Sequence, residues 1–337
     1  MCPPRMCRTT LQLAAMALLL IGISSAQASN STARFAVIGD YGGSAYWGTP
    51  DPPGATRCVS DMQCESAVAT LVHSWNPDFI ITTGDNNYEV GGADTIDQNI
   101  GQYYHDFIFP YKGDTGRYGG GATTNRFFPS LGNHDWINCY AGTDPNCKPA
   151  GPYLNYFTLP DNERYYELAR GPVHLFAIDS SDEYDHEPDG KISTSKQAKW
   201  LQDRLAASTE PWNLVFFHHP PYSSGSWWVD WMRWPFQAWG ATTVLSGHDH
   251  LYERLIVNGI PYFVNGLGGN AKFSFRDACL SDPSQCAAGS QVRYNTDFGA
   301  MLVQATPTCI NFQFINRGGA LIDSYSIFRK NPSKNCP

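Results

Sequence analysis

Short apolar runs rich in β-branched and aromatic residues punctuate the chain, and each is halted by glycine, aspartate or histidine. The runs RFAVIG (34–39), DFIITTG (78–84), VHLFAID (173–179), NLVFFH (213–218) and TTVLSG (242–247) predict strands. Between them, CESAVATLVHSW (64–75), IGQYYHDFIF (100–109) and STSKQAKWLQDRLAAS (193–208) carry apolar residues at helical spacing. Strands alternating with helices predict an α/β architecture. Beyond Leu251 the pattern turns to strand and turn, through IPYFVNGLGG and CINFQFINRGGALIDSYSIFRK, so more antiparallel sheet is expected there. The segment SWWVDWMRWPFQAW (226–239) holds five tryptophans and is expected as an amphipathic helix docked on the core rather than a pocket wall.

The first residues stand apart from this pattern. Arg5 and Arg8 precede an apolar stretch from Leu11 to Ile23, and Ala26-Gln27-Ala28 is a small-x-small cleavage signal. That layout predicts a leader over residues 1–28 and a mature domain over 29–337, secreted or periplasmic. Of the 10 cysteines, Cys2 and Cys7 fall in the leader. The others form near couples, Cys58/Cys64, Cys139/Cys147 and Cys279/Cys286, with Cys309 and Cys336 left for each other. None is spaced C-x-x-C, so disulfides between neighbours are the simplest expectation for an exported chain. The formal net charge of −8 becomes two units more negative without Arg5 and Arg8. Such a chain has no electrostatic reason to bind nucleic acid or an anionic membrane. No repeat, low-complexity tract or charge block marks a second domain.

Candidate chemistry lies where the apolar runs stop. VIGD, TTGD, SLGNHD, VFFHHP and LSGHDH each set Asp, Asn or His directly after such a run, and α/β sheets gather ligands at the carboxyl ends of their strands. Singly, each fragment reads as an ordinary polar turn. Jointly, Asp40, Asp85, Asn133, His218, His248 and His250 offer hard oxygen and imidazole donors without a thiolate, a set suited to iron, manganese or zinc. Six donors exceed what one tetrahedral ion with an open position needs, and two ions sharing a carboxylate match the count. Successive residues of a regular strand face opposite sides, so only one of His218 and His219 is expected as a ligand.

With GDYG, GDNNY, GNHD, VFFH and GHDH in this order and spacing, the stretch from Phe35 to Arg254 resembles the calcineurin-like metallophosphoesterases, and within them the purple acid phosphatase branch. In the wider family the first motif is D-x-H, whereas Gly42 stands at the histidine position here; in the purple branch a tyrosine in GDxxY makes up the ligand, and Tyr88 occupies that place. A phenol ionises near pH 10, so a tyrosinate ligand implies an acidic ion such as Fe(III). The resemblance implies an αββα fold, two mixed β-sheets packed as a sandwich with flanking helices, in the compact single-domain form. It implies Fe(III) held by Asp40, Asp85, Tyr88 and His250, and a divalent ion (Fe, Zn or Mn) held by Asp85, Asn133, His218 and His248. A hydroxide between the metals would attack a small phosphate ester, with His134 beside the site as general acid or phosphate-orienting donor. The implied activity is that of an acid phosphatase on phosphate monoesters. A phosphodiesterase, a nucleotide- or phosphoprotein-selective hydrolase, or a radical-generating iron protein would use the same metals. Mammalian-type members carry a further histidine where this chain reads YSSGSWW (222–228), so the resemblance leaves the second proton donor unassigned.

Three other features are set aside. DHEPDG (185–190) begins like a calcium loop but reaches Lys196 where a bidentate glutamate is required. GRYGGG (116–121) lacks the Walker lysine. His73, His105, His174 and His186 lie outside the motifs and are expected in structural or surface roles.

Overall fold

In the computed structural model, which describes residue 1, residues 32–43, 61–136, 150–181 and 187–329, and residue 336, the apolar runs become the inner strands of two sheets. Leader residues 2–28, Cys58, Cys139, Cys147 and His186 lie outside the described residues. Strands β1 (Ala33–Ile38), β2 (Phe79–Thr82) and β3 (Phe127–Pro129) run parallel to one another. Strands β11 (Gly299–Ala305), β12 (Cys309–Asn316) and β13 (Leu321–Phe328) extend them as an antiparallel meander, in the order β13-β12-β11-β1-β2-β3. The second sheet contains β4 (Tyr166–Arg170), β5 (Val173–Ala177), β6 (Trp212–Phe216), β7 (Thr243–Ser246), β8 (Tyr252–Val257), β9 (Ile260–Asn265) and β10 (Ser290–Tyr294). Its order is β10-β8-β9-β7-β6-β5-β4, with β5, β6, β7 and β9 parallel. Both sheets are therefore mixed, and the two-layer αββα expectation holds.

Alternation along the parallel strands explains why their sequences read as unbroken apolar runs. Leu175, Leu214, Phe216, Leu245 and Phe263 point into the core shared with Phe35, Val37 and Phe312 of the first sheet. Their neighbours Phe176, Val215, Phe217, Val244 and Val264 point the other way, into a second cluster with Leu201, Leu205, Met232 and Trp234. A strand covered on both faces has no polar alternation to show.

Helix α1 (Asp61–Ser74) lays Cys64, Val68, Ala69 and Val72 against the first sheet, beside β11. The helix expected over 100–109 is a compound turn: a π-helical stretch (Asp97–Gly101), α2 (Gln102–Tyr104) and a 3-10 turn (His105–Phe107). Two short helices follow, α3 (Asn133–Trp136) and α4 (Gly151–Tyr156). Helix α5 (Lys196–Ala207) starts where Ser195 accepts the Ala198 amide at 3.2 Å and buries Gln197, Ala198, Leu201 and Leu205. Such a cap contributes about 1 kcal/mol. The tryptophan segment departs from expectation, since only α6 (Phe236–Trp239) is helical; Met232, Trp234 and Phe236 do dock on the core. A last helix is α7 (Asp277–Ser281). Disulfides join Cys279 to Cys286 and Cys309 to Cys336, as neighbour pairing predicts, and Cys64 is also disulfide-bonded. No helix among the described residues is long and apolar enough to cross a membrane.

Candidate metal centre

Five strand ends converge. Asp40 follows β1, Asp85 and Tyr88 follow β2, Asn133 and His134 open α3 after β3, His218 follows β6, and His248 and His250 follow β7. The loops are bonded to one another rather than to solvent. Asp40 accepts the His248 amide at 3.1 and 3.0 Å, and Asp85 Oδ1 accepts the His134 amide at 2.9 Å. The Gly247 amide donates to the His218 carbonyl at 2.9 Å, and the Asn270 amide to the Asp40 carbonyl at 3.0 Å.

Glycine before Asp40, Asp85, Asn133 and His248 makes this approach possible. A methyl group on Gly132 would sit 2.2 Å from Asp85 Oδ1, and one on Gly247 2.4 Å from Asp40 Oδ2. The next residues take strained backbone: Asp40, Asp85 and His248 have φ of 57°, 50° and 66°. Such left-handed conformations cost a non-glycine residue on the order of 1 kcal/mol and are enriched at functional sites.

The eight residues singled out from sequence form one cluster. Tyr88 Oη lies 2.9 Å from Asp85 Oδ2, 3.1 Å from His250 Nε2 and 3.3 Å from Asp40 Oδ1. His250 Nε2 is 3.3 Å from Asp40 Oδ1. Beside this group, His218 Nε2 is 3.2 Å from Asp85 Oδ2, 3.0 Å from Asn133 Oδ1 and 3.0 Å from His248 Nδ1. Asp85 Oδ2 thus belongs to both groups. His218 and His250 each turn Nδ1 to a backbone carbonyl, Thr83 and Ala271 respectively, at 2.8 Å. Those bonds hold the Nδ1 protons and turn each Nε2 to the cluster, the nitrogen that would bind a metal on losing its proton.

Acceptors packed this closely repel one another unless a cation lies among them, so the donor set fits two hard or borderline ions. The electrostatics agree. Burial alone would raise the Asp85 carboxyl, but His218, His134 and His248 outweigh it and hold that group well below the usual carboxylate range. Burial works to lower His218, yet Asp85 and Asp40 raise it to about 9. Tyr88 is driven well above 10, first by burial and then by Asp85 and Asp40, so the protein alone cannot ionise this phenol near neutral pH. His248 and His219 are held well below 6.5, chiefly by burial.

The cluster floors a cavity of about 630 Å³ walled by His134, Trp227, Lys272 and Phe273. His134 turns Nδ1 to the Glu89 carbonyl, and its ring lies 4.4 Å from that of Tyr88. Trp227 is 52% exposed and lines the cavity, so this indole departs from the core docking expected of its segment. His219 is the residue sequence reasoning passed over. A ring nitrogen of it lies within 4.8 Å of donor atoms on His218 and His248, and its ring is 4.2 Å from that of His248. The facing rule applies to a continuing strand, and β6 stops at Phe216. Only the His-His doublet signalled it.

A family model described as calcineurin-like phosphoesterase matches residues 33–252, a span that contains the whole cluster. The chain is 27% identical over 270 residues to tartrate-resistant acid phosphatase type 5 of Rattus norvegicus, covering 74% of this chain and 77% of that protein. Purple acid phosphatase PPD1 from yellow lupin (Lupinus luteus) seeds superposes with a TM-score of 0.62 at 18% identity, covering 92% of this chain and 57% of that one. GAP50, the anchor in the inner membrane complex of Plasmodium, superposes with a TM-score of 0.55 at 17% identity over 90% of each chain. Those two structures share the fold. One is a phosphatase and the other an anchor, so activity here has to be argued from the site.

Proposed function

The chain belongs to the calcineurin-like phosphoesterase family, and on that premise we propose that it is a secreted acid phosphatase of the purple type. Its substrates are phosphate monoesters, and its centre holds Fe(III) beside a divalent iron, zinc or manganese ion. One observation carries the reading: Tyr88 Oη, buried, lies within 3.3 Å of donor atoms on Asp40, Asp85 and His250. Burial and two carboxylates oppose the phenolate, so only a strongly acidic cation makes the tyrosine useful there. Asp40, Asp85, Tyr88 and His250 would hold Fe(III), and Asp85, Asn133, His218 and His248 the divalent ion, with Asp85 common to both. Bound there, the pair supplies Lewis acidity toward the phosphate and acidifies the attacking water.

The chain's own groups do the rest. With Nδ1 spent on the Glu89 carbonyl, His134 presents Nε2 to the cavity. To donate from that nitrogen the ring must carry a second proton, and in that form the group serves as general acid toward the leaving oxygen. Residues 1–28 as a leader and 29–337 as one catalytic domain complete the proposal, and the disulfides at Cys279–Cys286 and Cys309–Cys336 support an oxidising destination.

The experiment is a visible absorption spectrum of the oxidised protein with metal analysis on the same sample. The expected outcome is a broad band in the green that disappears in Tyr88→Phe, with two metal ions per chain. A colourless protein with two zinc or manganese ions would retain the hydrolase and refute the iron assignment. A protein that holds no metal would refute the centre itself.

A further inference from the structure

Trp227 differs from the other tryptophans of its segment. Trp234 is buried in the core behind the second sheet, and Trp228 is held outside the cavity by Arg233, whose guanidinium lies 4.7 Å from its ring centre. Trp227 instead presents a half-exposed indole to the cavity, edge-on to His248 with ring centres 6.2 Å apart.

Its position is built. Asp249, buried between the two ligand candidates His248 and His250, accepts the Trp227 amide at 3.2 Å. The Gly225 amide donates to Ser223 Oγ at 2.9 Å, and a methyl group on Gly225 would meet the Asp249 carboxylate at 2.5 Å. The turn carrying Trp227 is thus clamped to the loop that carries the two histidines. On the opposite side, Phe273 lies flat on the His250 ring, with centres 4.1 Å apart and planes at 4°. A rigid, solvent-facing aromatic beside a reaction centre loses little freedom when a flat group covers it.

We propose that Trp227 is a specificity-determining residue that receives a flat aromatic leaving group, so that the preferred substrates are phosphate monoesters of aryl or nucleoside alcohols. The inference rests on the phosphatase reading above and adds a substrate class to it. A phosphoryl group at the cluster would place its ester substituent in the cavity that Trp227 and His248 line. Ring stacking acts on substrate and transition state alike, so it appears in KM more than in kcat.

The test compares kcat and KM of the metal-loaded wild type, W227A, W227F and W228A on phenyl phosphate, adenosine 5′-monophosphate and glycerol 2-phosphate. Taking each variant relative to wild type on the same substrate cancels intrinsic reactivity. W227A should lose about tenfold in kcat/KM on a ring-bearing substrate, mainly through KM, and several-fold less on glycerol 2-phosphate. W227F should recover most of the loss, and W228A should leave the ratios unchanged. Loss on phenyl phosphate alone assigns a ring bonded directly to the ester oxygen; loss on the nucleotide alone assigns one beyond a sugar; either upholds the inference. Equal loss on all three substrates overturns it, because Trp227 would then only support His248, and the phosphatase reading would stand. A metal-loaded wild type inert on all three refutes the phosphatase reading instead, and the substrate class falls with it.

Discussion

Asn86 joins two of the converging loops, and its removal gives the sharpest test of how the centre is held. It follows Asp85 directly and is fully buried. Its Nδ2 donates to the Ser130 carbonyl and to Asp135 Oδ2, both at 2.8 Å. Its Oδ1 accepts from Thr82 Oγ1 at 2.6 Å and Tyr41 Oη at 3.0 Å. The GDNNY loop is thereby bolted to the GNHD loop through one amide. Asn86→Ala leaves four buried groups each short of a bond, at about 1 kcal/mol apiece, so a loss of about 4 kcal/mol is expected. The assay is urea unfolding of chelator-treated protein, since bound metal would add stability by mass action and mask the difference. Asn86→Asp sharpens the argument. It keeps the acceptor but turns an oxygen toward Asp135, whose carboxyl is already raised to about 7 by burial and by Asp85. That variant should be worse than alanine at pH 7 and recover on acidification, when a shared proton restores a donor. A loss below about 1 kcal/mol in Asn86→Ala, or an Asn86→Asp protein as stable as wild type at pH 7, would refute the account.

Two further outcomes are expected. If His134 protonates the leaving oxygen, His134→Ala should lose about 100-fold or more on an alkyl phosphate and much less on 4-nitrophenyl phosphate, whose leaving group departs as a stable anion; a uniform loss would make His134 a phosphate-orienting group only. Glu65 is buried, accepts the Gly43 amide at 3.0 Å, and has its carboxyl pushed well above the usual range by burial, against the lowering effect of that bond. The folded state then keeps a proton that the unfolded chain releases near pH 4.3, so this group's contribution falls as pH rises from about 4 toward the folded-state value. Urea midpoints across that range should decline more steeply for wild type than for Glu65→Gln, and parallel curves would contradict the assignment.

How much could be read beforehand depended on what each element needs from distant parts of the chain. Strands β1, β2, β5, β6 and β7 were legible because burial on both faces writes an unbroken apolar run. Strand β3 was not, because three residues carry no period, yet it delivers Asn133 and His134. The compound turn at 97–107 has helical spacing, but its backbone leaves the helical region at Tyr104, where φ is −131° and ψ 11°. Candidate site residues were legible for a different reason: one polar turn after an apolar run is ordinary, but several that jointly supply oxygen and imidazole donors without a thiolate are more than turns need. Their convergence was not legible locally. His248 meets Asp40 across 208 residues, and His218 meets Thr83 across 135. Trp227 departs from the docking expected of its segment because composition cannot separate an indole that docks, such as Trp234, from one that faces a cavity.

The strain in the cluster bears on why it exists. Two carboxylates, Asp40 and Asp85, have oxygens within 4.8 Å of one another and of a His218 nitrogen. At that separation like charges repel by roughly 3 kcal/mol even at an effective dielectric of 20. Three of the residues involved also take left-handed backbone, at about 1 kcal/mol each. None of this helps the chain fold: the core between the sheets is made elsewhere, from residues such as Phe35, Phe216, Phe263 and Phe312. A chain selected for the fold alone would gain stability by relaxing that backbone, and even for Asp85 the repulsion is offset only through His218, His134 and His248. The arrangement becomes favourable only when positive charge sits among the donors. The same energetic reasoning accounts for a net negative protein acting on anionic esters, because field at contact range outweighs charge spread over a screened surface. The strained donors therefore mark the part of the molecule shaped by its chemistry rather than by its folding.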